Sequence, residues 1–483
     1  MSFKYLAISL LAILILSCSQ KNEIIAPSIV GPTPTESQLA WHEMETNAFV
    51  HFTTNTFTGK EWGFGDERPE IFNPSAFDAS QWISTIKNAG FKGVILTCKH
   101  HDGFCLWPSQ FTDHSVKNSP FKNGKGDVVK EVSEACKREG LKFGVYLSPW
   151  DRNRADYGTP SYVEYYRNQL KELFAAYGPV FEMWFDGANG GDGFYGGSRE
   201  TRKINGATYY DWPTTLNLVS EIEPNIIFFS DAGPGVRWVG NERGIAGETN
   251  WNTISPDTLF AGKPGIEKLL NEGNENGNAW IPAEVDVSIR PGWFYHAEED
   301  SLVKTPERLF EIYLTSVGRG STLLLNIPPD KRGLIHENDV RALKGWKELI
   351  DKEFKTNLAR NAKTEASGYR AQLDNFASAN TTDGNKETYW ATDDSVTTGS
   401  IEIRLKQPHQ LKYVLLQEYI KLGQRIKSFT VEAWIDNTWK PIAKATTIGY
   451  KRILKLDPVE TNKIRINITA SKACPLISNI EVY

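Results

Sequence analysis

The chain has 483 residues, a formal net charge of −5 and 15 tryptophans. Its length exceeds that of one ordinary domain, so we expect a large catalytic-sized unit followed by an accessory module. The small net charge does not indicate a nucleic-acid-binding protein. Tryptophan offers a flat apolar face that suits a sugar ring, although most tryptophans in any protein fill cores.

The first residues have the pattern of a secretory signal. One lysine precedes an apolar run from Tyr5 to Leu16, which is too short to remain as a membrane-spanning helix. The run ends in Leu-Ser-Cys, which resembles a bacterial lipoprotein signal with Cys18 as the lipidated first residue. We therefore predict a signal peptide over 1–17, a polar tether over 18–39 and a lipid anchor in a bacterial cell envelope, on the periplasmic side or the outer-membrane surface. An ordinary signal peptide with a chance cysteine is the alternative.

Strand-like and helix-like segments then alternate, which predicts an α/β fold, a (β/α)8-like TIM barrel over residues 40–355. Seven strands can be assigned, and we expect the eighth within Gly244–Leu270. The seven apolar runs are Ala48–Phe52, Gly93–Thr97, Phe143–Leu147, Val180–Phe185, Ile226–Ser230, Val285–Ile289 and Thr322–Ile327. The predicted helices are Ala79–Ala89, Val128–Glu139, Tyr162–Tyr177, Thr214–Glu223 and Pro306–Val317.

The C-terminal part of the chain has a different pattern. Short alternating runs separated by turn residues predict a β-sandwich over 356–483. The predicted strands include Ser400–Leu405, Tyr413–Gln417, Ser428–Ile435 and Lys463–Ile468. Asp383-Gly384-Asn385, followed by Thr388-Tyr389-Trp390-Ala391, resembles the galactose-binding-like, discoidin-like sandwich that is appended to many glycosidases. We favour a structural role for this domain, and the sequence leaves sugar or calcium binding open.

Polar and aromatic residues gather directly after successive strands, where a barrel keeps its active site. Buried His, Glu and Asp side chains are costly without partners, so packing alone does not explain six such clusters. The clusters contain His51–Thr53 with Glu61–Gly63, Lys99–Phe104, Tyr146 with Ser148–Trp150, Asp186, Arg237–Glu242 and Arg290–Tyr295.

Asp186 is the residue around which we expect the site to form. It ends an apolar run and follows Trp184 and Phe185, so its carboxyl group lies in aromatic, partly dry surroundings where an acid is either functional or costly. A helix-capping role is the alternative. Glycoside hydrolysis needs a second carboxyl group across the scissile bond, about 5–5.5 Å away in a retaining enzyme. Glu242 is the better acid/base candidate, because a partly desolvated glutamate has the raised pKa that proton donation requires. Glu248 is its rival, and spacing alone does not choose.

Several of these segments together resemble glycoside hydrolase family 29, the retaining α-L-fucosidases, over most of Leu39 to Pro329. The resemblance implies a distorted barrel with a C-terminal β-sandwich, a covalent fucosyl-enzyme, a fucosylated oligosaccharide or glycoconjugate as substrate, and no metal or other cofactor. The segments that carry it are Phe49–Phe52, Glu61–Gly63, Lys99–Phe104, Tyr146–Pro149 and Trp184–Gly187.

The resemblance also assigns roles. Asp186 is implied as the nucleophile, and Trp293 as the residue facing the C5-methyl side of fucose. Arg237–Glu242 looks like the subgroup that prefers fucose α-1,3- or α-1,4-linked to a branched N-acetylglucosamine, as in Lewis-type glycans, with Glu242 as acid/base. The implied ligands of the fucose hydroxyls are His51, Glu61, Trp62, His100, His101 and Tyr146.

Other interpretations remain. His100-His101-Asp102 with His114 nearby resembles a set of metal ligands, but adjacent histidines point in different directions and no His-x-x-x-His spacing occurs, so we predict no metal site. A sugar-capture lipoprotein could keep the fold without catalysis. A broader α-L-fucosidase that includes α-1,2 linkages, or one with side activity on an α-L-galactoside, is compatible with the same residues.

Overall fold

The computed structural model describes residues 26–483, so the predicted signal peptide, Cys18 and the start of the tether lie outside the described residues. Within 26–483 no helix has the length and apolar character needed to cross a membrane. These residues form a parallel barrel followed by an antiparallel β domain.

Eight parallel strands close the barrel, and each pairs with its neighbours in chain order. This arrangement confirms the predicted TIM-like barrel. The strands are β1 (Thr46–Val50), β2 (Gly93–Lys99), β3 (Lys142–Leu147), β4 (Glu182–Trp184), β5 (Ile227–Ser230), β6 (Val236–Trp238), β7 (Ala283–Ser288) and β8 (Thr322–Asn326).

The strand that the sequence analysis missed is β6, and the expectation of a strand within Gly244–Leu270 was wrong for the barrel. Only Asp231–Gly235 joins β5 to β6, without an intervening helix, so the alternation that reveals the other strands is lost here. The segment Thr253–Ile254 instead pairs antiparallel with Ala279–Trp280 outside the barrel. Glu242 therefore follows the sixth barrel strand.

The predicted helices form within two residues of their expected ends. In the helix Val128–Glu139, Asp127 accepts a hydrogen bond from the Lys130 amide at the N-terminus, and Gly140 takes the left-handed conformation that ends the helix. The helices are α1 (Glu36–Met44), α2 (Thr54–Thr58), α3 (Ala79–Asn88), α4 (Val128–Glu139), α5 (Pro160–Tyr177), α6 (Trp212–Ile222), α7 (Glu267–Glu272), α8 (Pro306–Thr315) and α9 (Glu337–Glu353).

The C-terminal domain is antiparallel, as predicted, and has its own apolar core. Two predicted strands, Ser400–Leu405 and Tyr413–Gln417, are parts of one 20-residue strand that changes register along its length. The strands are β9 (Lys363–Ala366), β10 (Trp390–Ala391), β11 (Gly399–Glu418), β12 (Ile426–Ile435), β13 (Thr438–Ala445), β14 (Arg452–Ser471) and β15 (Leu476–Val482).

The C-terminal domain hydrogen-bonds to the barrel segment that follows Glu242. Thr447 Oγ1 accepts from the Asn250 amide at 2.8 Å, and Gln424 Oε1 accepts from the Asn252 amide at 2.8 Å. Backbone amides buried at a contact need such acceptors. The segment is therefore held from the side of the second domain.

Two acids are fully buried inside the barrel, Glu182 on β4 and Glu284 on β7. The indole of Trp41 donates to Glu182 at 3.1 Å, and that of Trp184 donates to Glu284 at 3.2 Å. The other oxygen of each acid, Glu182 Oε1 and Glu284 Oε2, has no hydrogen-bond partner among the described residues. Burial raises the pKa of both, and the charge of Glu182 raises the pKa of Glu284 further.

This pair should make the stability of the protein fall with rising pH. Above the ordinary glutamate pKa the unfolded chain releases its protons while the folded pair keeps them, so stability is lost as pH rises through the raised pKa values, by ~1.4 kcal/mol per pH unit for each retained proton. We expect Glu284→Gln, which resembles the protonated acid, to flatten the loss between about pH 5 and about pH 8. Chemical denaturation of both proteins across that range measures it. Parallel curves would show that the pair does not titrate there.

Candidate active site

A cleft of about 240 Å³ opens at the carboxyl ends of the barrel strands. Four carboxyl groups and four tryptophans share it with three histidines. The lining residues are Phe49, His51, Trp62, His100, His101, Trp184, Asp186, Gly187, Ala188, Phe229, Asp231, Trp238, Glu242, Asp286 and Trp293.

Asp186 lies directly beyond β4 and is held by two donors. The hydroxyl of Tyr146 donates to Oδ2 at 2.8 Å, and the backbone amide of Ala188 donates to Oδ1 at 2.7 Å. Burial and the charge of Asp186 raise the pKa of Tyr146, so this hydroxyl keeps its proton and remains a donor. Both donors favour an ionised, fixed carboxylate.

His101 faces Asp186, with 3.7 Å between Nε2 and Oδ2. Its Nδ1 lies 2.7 Å from Ser148 Oγ, whose single proton goes to the carbonyl of Trp150 at 2.7 Å. Ser148 therefore accepts from His101 Nδ1–H, which leaves Nε2 as an acceptor toward the cleft. Burial lowers the pKa of His101 to about 4, although Asp186 opposes this, so the ring is neutral.

His51 is oriented in the same way by Asn326, at the end of β8. Asn326 donates from Nδ2 to the carbonyl of Trp293 at 2.8 Å and to Ser288 Oγ at 2.9 Å, so its oxygen faces His51 Nδ1 at 2.8 Å. Nδ1 must then carry the proton, and Nε2 is an acceptor. Burial lowers the pKa of His51 to about 3.

His100 packs against both of these rings, 4.1 Å from the centre of His101 and 5.5 Å from that of His51. Burial, with the neighbouring His101 and His51, lowers its pKa well below the ordinary value. The three histidines thus form a neutral wall, suited to exchanging hydrogen bonds with ligand hydroxyls.

Glu242 lies across the cleft and accepts a hydrogen bond from the indole of Trp293 at 3.3 Å. Burial raises its pKa, and the charges of Asp186 and Glu61 add to the effect, while the Trp293 bond opposes it. A carboxyl group with a raised pKa is suited to donate a proton.

Glu248, the rival of Glu242 in the sequence, lies elsewhere. Its side chain is 78 % exposed and 3.4 Å from Arg319. Its carbonyl oxygen accepts from Thr446 and Arg452 of the C-terminal domain. Glu248 therefore belongs to the contact between the domains, and of the two glutamates Glu242 is the one that lines the cleft.

Two predicted substrate ligands, Glu61 and Tyr146, lie behind the residues that line the cleft. Tyr146 is linked to the cleft by its hydrogen bond to Asp186. Glu61 accepts from the backbone amide of Trp293 at 2.7 Å and contacts His296 Nε2 at 2.5 Å, so it fixes the segment that carries Trp293. Trp62 lies at the rim, half-exposed, with its ring edge toward His101.

Sequence reasoning missed Asp231, Asp286 and Asn326. Asp286 lies at an inward position of β7, a strand in which apolar and polar residues alternate, and Asn326 is the polar residue that ends β8. A polar residue at an inward strand position is the signal that could have identified both. Burial raises the pKa of Asp231 to about 6, with a smaller contribution from the charge of Asp186.

Asp102 and His114, two of the residues that resembled metal ligands, make hydrogen bonds within the protein. Asp102 accepts from the hydroxyls of Thr53 and Thr54, and His114 Nε2 lies 3.1 Å from the Asp102 carbonyl. Across residues 26–483 no group of three His, Cys, Asp or Glu side chains is arranged to hold a metal ion.

Comparison with known proteins gives two family matches. The alpha-L-fucosidase family model matches residues 26–352, and the F5/8 type C domain model matches 359–480. The chain is 40 % identical to Alpha-L-fucosidase 1 of Arabidopsis thaliana over 462 residues, which cover 95 % of this chain and 88 % of that protein.

Solved structures agree with this likeness. A glycoside hydrolase 29 family member from an unknown rumen bacterium shares 44 % identity and a TM-score of 0.85 over 95 % of this chain and 78 % of that one. A glycoside hydrolase family 29 fucosidase of Ruminococcus gnavus, solved in complex with fucose, shares 34 % identity and a TM-score of 0.86 over 95 % of this chain and 96 % of that one.

The orientation of His51 can be tested directly. We expect nitrogen NMR of the unmodified protein at neutral pH to show His51 protonated on Nδ1 alone, because Asn326 offers only its oxygen. Asn326→Leu removes that acceptor and should mix the two tautomers. His101, which depends on Ser148, is the internal control and should keep its signal. A His51 protonated on Nε2 in the unmodified protein would contradict the assignment.

Proposed function

The chain belongs to the α-L-fucosidases of glycoside hydrolase family 29, and from this premise we propose that it hydrolyses terminal fucosides with retention, through a covalent fucosyl-enzyme. The observation that carries the proposal is the placement of Asp186 and Glu242 in one cleft, each with a distinct environment. Asp186 has two hydrogen-bond donors that suit an anion, whereas Glu242 has a raised pKa that suits an acid.

In the first step Asp186 attacks the anomeric carbon of fucose. A bond forms between a carboxylate oxygen and that carbon, and the bond to the glycosidic oxygen breaks. Glu242 transfers its proton to the departing oxygen, which leaves as the hydroxyl of the remaining glycan. Tyr146 and the Ala188 amide keep the carboxylate in position.

In the second step Glu242, now ionised, takes a proton from water while the water oxygen bonds to the anomeric carbon. The ester bond to Asp186 breaks, fucose leaves, and both carboxyl groups regain their starting protonation. The neutral histidines accept hydrogen bonds from fucose hydroxyls through Nε2 of His51 and His101, with no charge that would compete with Asp186.

We propose that the preferred substrates carry fucose α-1,3- or α-1,4-linked to a branched N-acetylglucosamine, as in Lewis-type glycans. The segment Arg237–Glu242 supports this, because its sequence resembles the subgroup with that preference. It also places Glu242 beside the indole of Trp293 at the mouth of the cleft. A broader activity that includes α-1,2 linkages is the alternative.

We also propose that the protein is a bacterial lipoprotein, anchored at the cell envelope through Cys18. The support is the sequence alone, an apolar run that ends in Leu-Ser-Cys. Cys18→Ser should abolish incorporation of labelled fatty acid and move the protein from the membrane fraction to the soluble fraction. An unmodified protein that is soluble and unlabelled would point to an ordinary signal peptide.

The roles of the two carboxyl groups can be separated by kinetics. Asp186→Ala should abolish turnover of every fucoside while fucose still binds, because the attacking carboxylate is lost and the other side chains of the cleft remain. Glu242→Ala should reduce kcat/KM on the order of 10²–10⁴-fold for glycans with poor leaving groups, and much less for activated aryl fucosides that need no proton. Glu248→Ala is the matched control and should leave both rates near those of the unmodified enzyme. Equal losses of kcat/KM on both substrates with Glu242→Ala would contradict the role of Glu242 as the acid.

The linkage preference is tested by release of fucose from a Lewis-type branched trisaccharide and from unbranched 2′-fucosyllactose by the chain from Ser19 to Tyr483. We expect release from the branched glycan alone, with the α anomer of fucose as the first product in NMR spectra. Release from both, or from the linear one only, would exclude the branch preference. Binding without release from either would favour a sugar-capture protein.

A further inference from the structure

Asp286 is a carboxyl group of the cleft to which the mechanism above gives no role. It lies on β7 with its side chain on the inner face, two residues beyond Glu284, and is only 2 % exposed. The indole of Trp238 donates to its Oδ1 at 2.9 Å. No other side chain of residues 26–483 hydrogen-bonds to this carboxyl group, so Oδ2 has no side-chain partner there.

The charged groups that act on Asp286 are all acids. Glu242 and Asp186 face it within the cleft, and Glu284 lies below it on the same strand. A buried carboxylate with three acidic neighbours is unfavourable, because only the Trp238 indole and a backbone hydrogen bond of Asp286 itself offset the burial of its charge. Burial, with the charges of Glu242 and Asp186, accordingly raises the pKa of Asp286 well above the ordinary value.

A neutral carboxylic acid has one O–H donor, and here the proton belongs on Oδ2, because Oδ1 already accepts from Trp238. Within the protein this donor meets no acceptor side chain among the described residues. The cleft already supplies acceptors, at Nε2 of His51 and His101, but a sugar hydroxyl also presents oxygen lone pairs that need a donor. Asp286 is therefore a donor in the cleft that complements these acceptors.

We propose that Asp286 is a further substrate-binding residue, an uncharged acid whose Oδ2–H donates to an oxygen of the fucosyl unit. This assignment rests on the proposed use of the cleft as a fucose site. Asp286 differs in role from Asp186 and Glu242 because it keeps its proton through both steps of the reaction.

The test compares Asp286→Asn with Asp286→Ala in binding and catalysis. The amide keeps a donor at the same place, whereas alanine does not. We expect Asp286→Ala to lower both fucose affinity and kcat/KM for an aryl α-L-fucoside by about tenfold, the usual effect of one lost hydrogen bond, and Asp286→Asn to recover most of that loss. Equal losses in the two variants, or no loss in either, would overturn the proposal.

The pH profile gives a readout that a structural role would not produce. If Asp286 is uncharged during catalysis, Asp286→Asn leaves the alkaline limb of kcat/KM, which reports Glu242, at its original pH. If Asp286 were ionised, removing its charge would lower the pKa of Glu242 and move that limb to lower pH. A limb that moves to lower pH would overturn the proposal.

Infrared difference spectra of the resting proteins at neutral pH provide a measurement that needs no turnover. The unmodified protein should show a protonated-carboxyl band that Asp286→Asn lacks, and Glu284→Gln, a control outside the cleft, should remove a different band. The absence of an Asp286 band would overturn the proposal. If fucose affinity depends on Asp286 but the protein has no turnover, the result would contradict the proposed function and leave the assignment of Asp286 intact.

Discussion

Four indole N–H groups inside this barrel each donate a hydrogen bond to a different carboxyl group. Trp41 donates to Glu182, Trp184 to Glu284, Trp238 to Asp286 and Trp293 to Glu242. An indole is a large apolar group with a single donor. It satisfies one oxygen of an acid and keeps water and counter-charge away, so burial can raise the pKa without leaving the carboxyl group unpartnered. The acidic interior of the barrel depends on this pairing.

Asp186 has a different environment from these four acids, and the contrast defines the site. Its partners are a hydroxyl and a backbone amide, one for each oxygen, and a neutral histidine faces it. The same barrel therefore holds acids that retain protons beside one whose partners stabilise an anion. Two carboxyl groups with different environments are what acid-assisted displacement needs.

The sequence was sufficient to predict the structural elements that repeat along the chain. Alternating strands and helices revealed seven barrel strands, but β6 was missed because a five-residue turn replaces the helix before it. Asp186 could be identified because it ends an apolar run, whereas Asp286 lies in a strand of alternating apolar and polar residues and its role depends on Trp238, 48 positions away. Asn326 could not be given a role either, because the orientation of His51 depends on a contact that spans 275 positions. The local sequence pattern locates the ends of strands, but it does not show which residues hydrogen-bond to each other across the barrel.

The hydrogen bonds between the two domains have an asymmetry that bears on how such modules can be exchanged between enzymes. On the barrel side the donors are the backbone amides of Asn250 and Asn252, which almost any residue would supply. On the other side the acceptors are the side chains of Thr447 and Gln424. The backbone donors place little constraint on the barrel sequence, but two barrel side chains also take part: Asn252 Nδ2 donates to Gln424 Oε1 at 3.1 Å, and Thr249 Oγ1 donates to Thr446 Oγ1 at 3.1 Å. A foreign β domain grafted here would have to reproduce the acceptor side chains, and the barrel segment beyond Glu242 would have to keep the two side chains that donate to them.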